Sequence, residues 1–161
     1  MRNRIITLML LTLLAVFSGC GRMGLIKAEN EVMVEGLFSV WGVWVKDKGR
    51  KFDVKLRIAN DARHPIMIRR RDLHCSMGDR WGNFRLLNVP RRITRLWISP
   101  EQVVTLVGVC EIGERVRGDF RVLIGRVFEG QRFRRHGRLV VRPGDLLATD
   151  IEWTAYGDLM R

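Results

Sequence analysis

The 161-residue chain has one tyrosine, four prolines, three histidines and three cysteines, and its lysines are confined to Lys27, Lys46, Lys48, Lys51 and Lys55. These scarcities exclude several classes of protein. There is no internal repeat, no low-complexity stretch and no composition that marks a linker between domains, so the chain beyond its N-terminus reads as one domain. His64, His74 and His136 have no companions at metal-ligand spacing. No CxxC, HExxH, GxSxG or phosphate-cradling glycine loop occurs. His74 and Cys75 are adjacent, but neighbours on a strand point to opposite faces, which separates a would-be base from a would-be nucleophile. Neither catalysis nor a metal nor a cofactor is expected. Bilayer-spanning helices need about 20 mainly apolar residues. The apolar run over residues 5–17, broken by Thr7 and Thr12, is shorter than that.

That run is preceded by Arg2 and Arg4 and followed by LAVFSGCG at residues 14–21, a positive n-region, an apolar h-region and a small-residue exit. The end of it resembles the bacterial lipoprotein signal, in which Leu, a small residue, Gly or Ala, and then Cys are cut just before the cysteine. Phe17 stands where Leu is usual, and Ser18, Gly19 and Cys20 fill the other places. The resemblance implies a helical signal peptide over residues 1–19, a lipidated Cys20 carrying diacylglyceryl and palmitate-type chains, and a tether over residues 20–30. Each buried methylene adds about 0.8 kcal/mol, and two or more chains anchor far better than one. Gly21 stands where an inner-membrane retention signal has Asp, so the outer membrane, facing the periplasm, is the implied location.

The formal charge is +12, and the signal segment carries only two of the cations, Arg2 and Arg4. Arginine suits bidentate pairing with phosphate and carboxylate. Nucleic acid is the usual partner of so basic a chain, but export argues against it. Anionic lipid headgroups, lipopolysaccharide phosphates and other acidic glycans remain. Three clusters stand out: Arg69, Arg70 and Arg71; Arg91, Arg92 and Arg95; and Arg132, Arg134, Arg135 and Arg138. Period-two alternation puts Arg69 and Arg71 on one face and Arg70 on the other. The candidate anion-binding set is therefore Arg69, Arg71, Arg91, Arg92, Arg95, Arg132, Arg134, Arg135 and Arg138. These either meet as a rim at one end of the fold or lie dispersed and paired with acids.

The remainder of the chain, residues 31–161, shows strand periodicity nearly everywhere. In KFDVKLRIAND, Phe52, Val54, Leu56 and Ile58 alternate with Asp53, Lys55 and Arg57. Residues 32–45 precede it across a KDKG turn, giving a hairpin. Trp41 and Trp44 face opposite sides unless a bulge near Gly42 intervenes. Residues 64–77 alternate imperfectly, 78–92 read mostly as loop with at most a short strand around Phe84 to Leu87, and 103–112 and 119–129 as strands. Residues 138–144 and 146–156 read as a final pair. The expectation is an all-β fold, a single antiparallel sandwich of seven to eight strands.

LRIAND, HPI, DLHCSMG and ISPEQVVTLVGV follow one another over residues 50–112 in an order that resembles the immunoglobulin-like domains of late-embryogenesis-abundant type 2 and water-stress/hypersensitive-response proteins. In those families a strand ends on Asn, a proline turn follows, and a later turn of Pro plus a polar residue precedes an alternating strand. Asn60, Pro65 and Pro100 hold these places. The resemblance implies an immunoglobulin-like sandwich without catalysis.

With Cys20 lipidated, Cys75 and Cys110 remain as a disulfide or as two buried thiols. A bond between them stabilises the fold by roughly 3.5 to 4 kcal/mol in the chain-entropy account. Trp81, in the glycine-bounded GDRWGN stretch, is either a contact aromatic or a core residue, as is Trp97. Asp150 and Glu152 are spaced like a carboxylate pair but fit a solvated strand face, with arginines across the ladder. The functional expectation is a membrane-anchored, non-catalytic binding or assembly module for a larger envelope or secretion complex, with a protein partner. The alternative is direct binding of an anionic lipid or glycan through the arginine loops. Replacing Cys20 by Ala is expected to abolish incorporation of an alkyne-tagged palmitate and to release the protein from the membrane fraction, as checked by gel fluorescence.

Overall fold

A computed structural model describes residues 25–26 and 31–155; the signal segment, Cys20 and most of the expected tether lie outside the described residues. Eleven strands follow in order: β1 (Leu25–Ile26), β2 (Glu31–Val34), β3 (Phe38–Asp47), β4 (Lys51–Asn60), β5 (Ile66–Arg69), β6 (Leu73–Met77), β7 (Arg80–Leu86), β8 (Arg95–Ile98), β9 (Val103–Glu111), β10 (Phe120–Arg135) and β11 (Arg138–Ala155). A 3-10 turn, Arg70–Asp72, separates β5 from β6. The fold is all-β and antiparallel, as its alternation indicates.

The strands form one continuous hydrogen-bonded sheet in the order β1-β3-β4-β9-β7-β6-β10-β5-β8, with β2 added on β3 and β11 on β10. The sheet doubles back on itself at β7. The first part of β7 pairs with β6, through Cys75 with Gly82 and Ser76 with Trp81. Its second part pairs with β9, from Asn83 with Glu111 to Leu86 with Gly108. Inward residues of both halves make one core, which includes Val54, Leu56 and Ile58 from β4 and Ile66, Cys75, Val122 and Trp153 from the other half. Phe52 and Phe120 meet across it with ring centroids 5.3 Å apart.

Two devices tie the halves together. Cys75 on β6 and Cys110 on β9 are bonded, with Cα atoms 6.1 Å apart. At the other end the fully buried Asn60 uses its amide to donate to the carbonyls of His64 and Ile98, both at 2.9 Å, and its Oδ1 to accept from the Ala62 N–H. A buried amide with its hydrogen bonds satisfied avoids the desolvation cost of a lone polar group. This gives the strand-ending Asn60 a structural reason.

The strand count exceeds expectation because two runs break and β1 and β8 are added, against one merger of two expected strands into β11. Residues 32–45 divide at Gly36, and 64–77 divide at the 3-10 turn. The bulge option holds for the tryptophans: the β3–β4 register slips between Gly42 and Trp44. The stretch over 78–92, read mostly as loop, instead carries the seven-residue β7. Residues 138–144 and 146–156 do not pair with each other. They run on as β11, which pairs with β10 from Arg135–Arg138 back to Phe120–Ala155. The Pro-Gly signal at residues 143–144 lies close to a register shift rather than a turn. Gly130 still donates to the Pro65 carbonyl at 2.6 Å; beyond it, among the described residues, β10 pairs with β11 alone, so the end of this hairpin is a projecting ribbon.

A Cβ on Gly82 would stand 2.7 Å from the Cys110 sulfur and 3.0 Å from that of Cys75. The disulfide occupies the space a side chain would need. Gly82→Ala is therefore expected to cost roughly the 2 to 4 kcal/mol that a disulfide supplies. Either free thiols will appear on alkylation and mass spectrometry, or the melting temperature will fall as far as in the Cys75→Ser, Cys110→Ser double variant.

Candidate functional site

A cavity of about 690 Å³ opens where β7 leaves one half of the sheet for the other; it is lined by Arg69, Arg70, Arg71, Asn83, Phe84, Arg85, Arg91, Thr94 and Arg95. Six of these nine residues are arginines and none is an acid. Its origin is topological. β6 and β7 separate after the Cys75–Gly82 pair, the 3-10 turn bends the chain at Arg70–Asp72, and residues 87–94 bridge from β7 to β8. Three segments far apart in sequence thereby contribute cations to one hollow.

The arginines do different things. Arg70 donates to the carbonyls of Pro90 at 2.9 Å, Leu86 at 3.0 Å and Val89 at 3.2 Å, so it holds the connecting loop in place. Arg69 lies over the Phe128 ring at 4.3 Å, an arrangement that fixes the guanidinium while leaving its hydrogen-bonding edge available. Arg85 reaches toward Glu111 at 4.0 Å, the outer limit of an ion pair. Among the described residues, Arg69, Arg70, Arg71, Arg91 and Arg95 have no carboxylate within 4.0 Å. Packing like charges without counter-ions raises the free energy of the empty site, and a bound anion relieves it.

Of the nine candidate cations, Arg69, Arg71, Arg91 and Arg95 line the cavity, whereas Arg92 is exposed outside its lining. The expected split of the first cluster is overturned. The 3-10 turn replaces strand alternation at residues 70–72, so Arg69, Arg70 and Arg71 all face the same hollow. Arg132, Arg134, Arg135 and Arg138 stay apart on the ribbon, around a turn with His136 and Gly137 at φ 50° and 75°. Arg132 borders a smaller hollow with Arg63, His64, Glu129 and Arg142. Trp81 is 64% exposed and meets His74 edge to face at 6.4 Å, away from the arginine lining. Trp97 is half-buried on β8. Asp150 is a left-handed residue at φ 54°, and Glu152 leans on Arg121 at 3.7 Å, which fits the solvated-face reading.

Arg70, Asn83, Phe84, Arg85 and Thr94 also line the cavity but are not in the sequence-derived set. The Asn83–Arg85 spacing of two is a strand signal, masked by the glycines and asparagine around it.

No family model matches this chain, and no curated protein matches it. Among solved structures, YcdA of Bacillus subtilis, described provisionally as a lipoprotein, is similar to it with a TM-score of 0.44 and 11% identity over 80% of this chain. The match spans 38% of the YcdA chain.

Arg70→Ala is expected to lower stability by about 2 kcal/mol, because the part-buried carbonyl bonds to Leu86 and Val89 and the exposed one to Pro90 lose a charged donor. Arg71→Gln removes an exposed charge with no hydrogen bond and is expected to leave the melting temperature unchanged or slightly raised. Thermal unfolding of the two variants side by side checks the difference between the scaffold arginine and the free ones.

Proposed function

We propose that this protein is a non-catalytic lipoprotein of the bacterial envelope that captures a phosphate- or carboxylate-bearing ligand in the arginine cavity. The observation that carries the reading is six arginines around one hollow of about 690 Å³ with no acid in its lining. That size lies within the range of ligand-binding pockets, about 300 to 1,000 Å³. Guanidinium groups bind such anions through two parallel hydrogen bonds, and the partly enclosed site weakens solvent screening. The lipobox-like residues at 17–20 support attachment through Cys20, and Gly21 supports an outer-membrane position facing the periplasm.

A second reading, an assembly module contacting an envelope protein, draws on different surfaces. β11 exposes Leu139 and Leu146, and Trp81 on β7 is largely exposed beside His74. The two readings differ in their response to salt. Anion capture weakens steeply with ionic strength, whereas an apolar protein interface changes little.

Thermal unfolding of the full-length lipidated protein in a non-ionic amphipol tests the first reading, with inorganic phosphate and pyrophosphate as probes. Ligand at 100 times its Kd adds about 2.7 kcal/mol of stability. The expected outcome is a rise of several degrees, larger for pyrophosphate and absent in the folded Arg71→Gln, Arg91→Gln, Arg95→Gln variant. A rise no greater than that given by sodium chloride of equal ionic strength, or one retained by the triple variant, would overturn the reading.

A further inference from the structure

A second cavity, about 400 Å³, lies on the other side of the loop that walls the arginine site, and Arg95 lines both. Its character is opposite. Ile93, Leu96, Ile98, Val104 and Leu106 form its apolar walls, and Leu96, Ile98 and Leu106 belong to the hydrophobic core. This opening follows from the same topology. β7 ends at Leu86, and beyond it the side of β9 away from β4 is met by Leu87, whose N–H donates to the Val107 carbonyl at 2.7 Å, and by Asn88, whose amide donates to the Thr105 carbonyl at 2.7 Å and whose Oδ1 accepts from Val107 N–H at 2.9 Å. β8 forms the free edge of the opposite half, paired only with β5. The sandwich is therefore open between β8 and β9, and Ile93 stands at the rim, 39% exposed.

We infer that the ligand is an anionic amphiphile, a membrane phospholipid with a phosphate head group among the arginines and an aliphatic chain in the β8–β9 cavity. This rests on the anion-binding reading and adds the class of ligand. Arg95 joins the two compartments: its aliphatic stem suits the apolar side and its guanidinium the charged one. An inorganic anion leaves the apolar cavity without an occupant. A glycan or a peptide needs hydrogen-bonding partners along its length, and the polar side chains in that lining are Asn88, whose amide is already bonded to β9, Arg95 and the indole of Trp97. An alkyl chain needs none, and its transfer from water to such walls is favourable per methylene.

Calorimetric titration of the full-length lipidated protein in a non-ionic amphipol, with three soluble probes, tests this. The probes are glycerol 3-phosphate, dihexanoyl phosphatidic acid and dihexanoyl phosphatidylcholine, each below its micellar concentration. Dihexanoyl phosphatidic acid is expected to bind at least about tenfold more tightly than glycerol phosphate, since burial of two methylenes already supplies roughly that factor. The zwitterionic lipid is expected to bind far more weakly than either phosphate. Ile93→Asn, a neutral polar change at an exposed rim position, should erase most of the chain-dependent gain while leaving glycerol phosphate binding intact. Equal affinity for glycerol phosphate and dihexanoyl phosphatidic acid would overturn the amphiphile while leaving anion capture standing. An undiminished chain gain in Ile93→Asn would also overturn it, because the chain then lies elsewhere. Binding of neither phosphate would remove both readings.

Discussion

The crossing of β7 from one half of the sheet to the other is the constraint on which the molecule turns. It works only because Gly82 has no side chain, which lets the Cys75–Cys110 bond pass against the backbone at the crossing point. The bond joins the strands that β7 successively pairs with, β6 and β9, so the two layers cannot drift apart where their shared strand changes partner. At the opposite end, Asn60 performs a comparable service with hydrogen bonds instead of a covalent link. Between these two ties the core is aliphatic and aromatic and needs no further polar fastening.

The same crossing creates the openings. A strand that serves two layers in turn leaves each of them short of a partner over half its length. On one side the shortfall is the arginine hollow, and on the other the apolar gap between β8 and β9. Arg70 shows how the loop between the two is held without filling either, by spending its donors on three backbone carbonyls. The scaffold and the site thus share a cluster of identical residues whose roles are set by what each guanidinium faces, not by its place in the sequence.

Much of the scaffold was legible in the sequence. Alternation marks β4, β9 and the start of β10, and the even pair of cysteines marks the disulfide, because each of these depends on local spacing or simple counting. What escaped depends on distant partners. The 3-10 turn at Arg70–Asp72 interrupts what reads as continued alternation, so Arg70 was assigned to the wrong side. β7 was hidden by glycines that mark turns in most contexts but here admit a disulfide. The break at 143–144 reads as a hairpin because proline and glycine usually end strands. In an edge strand the lost N–H costs little, and β11 continues through it. The cavity, assembled from residues 69–71, 83–85 and 91–95, has no local signature.

β11 is an eighteen-residue strand whose ladder among the described residues is with β10, which makes the far side of its first half a template for another chain. Several features spoil it for that use. Pro143 offers no donor, the register slips twice in the same region, and Asp150 takes a left-handed conformation that breaks the run. At the exposed end, residues 130–143 carry five arginines and no acid, so two copies approaching edge to edge repel one another. The arginines of the ribbon, which take no part in the arginine-lined cavity, thus disfavour edge-to-edge joining of a long and otherwise adhesive hairpin.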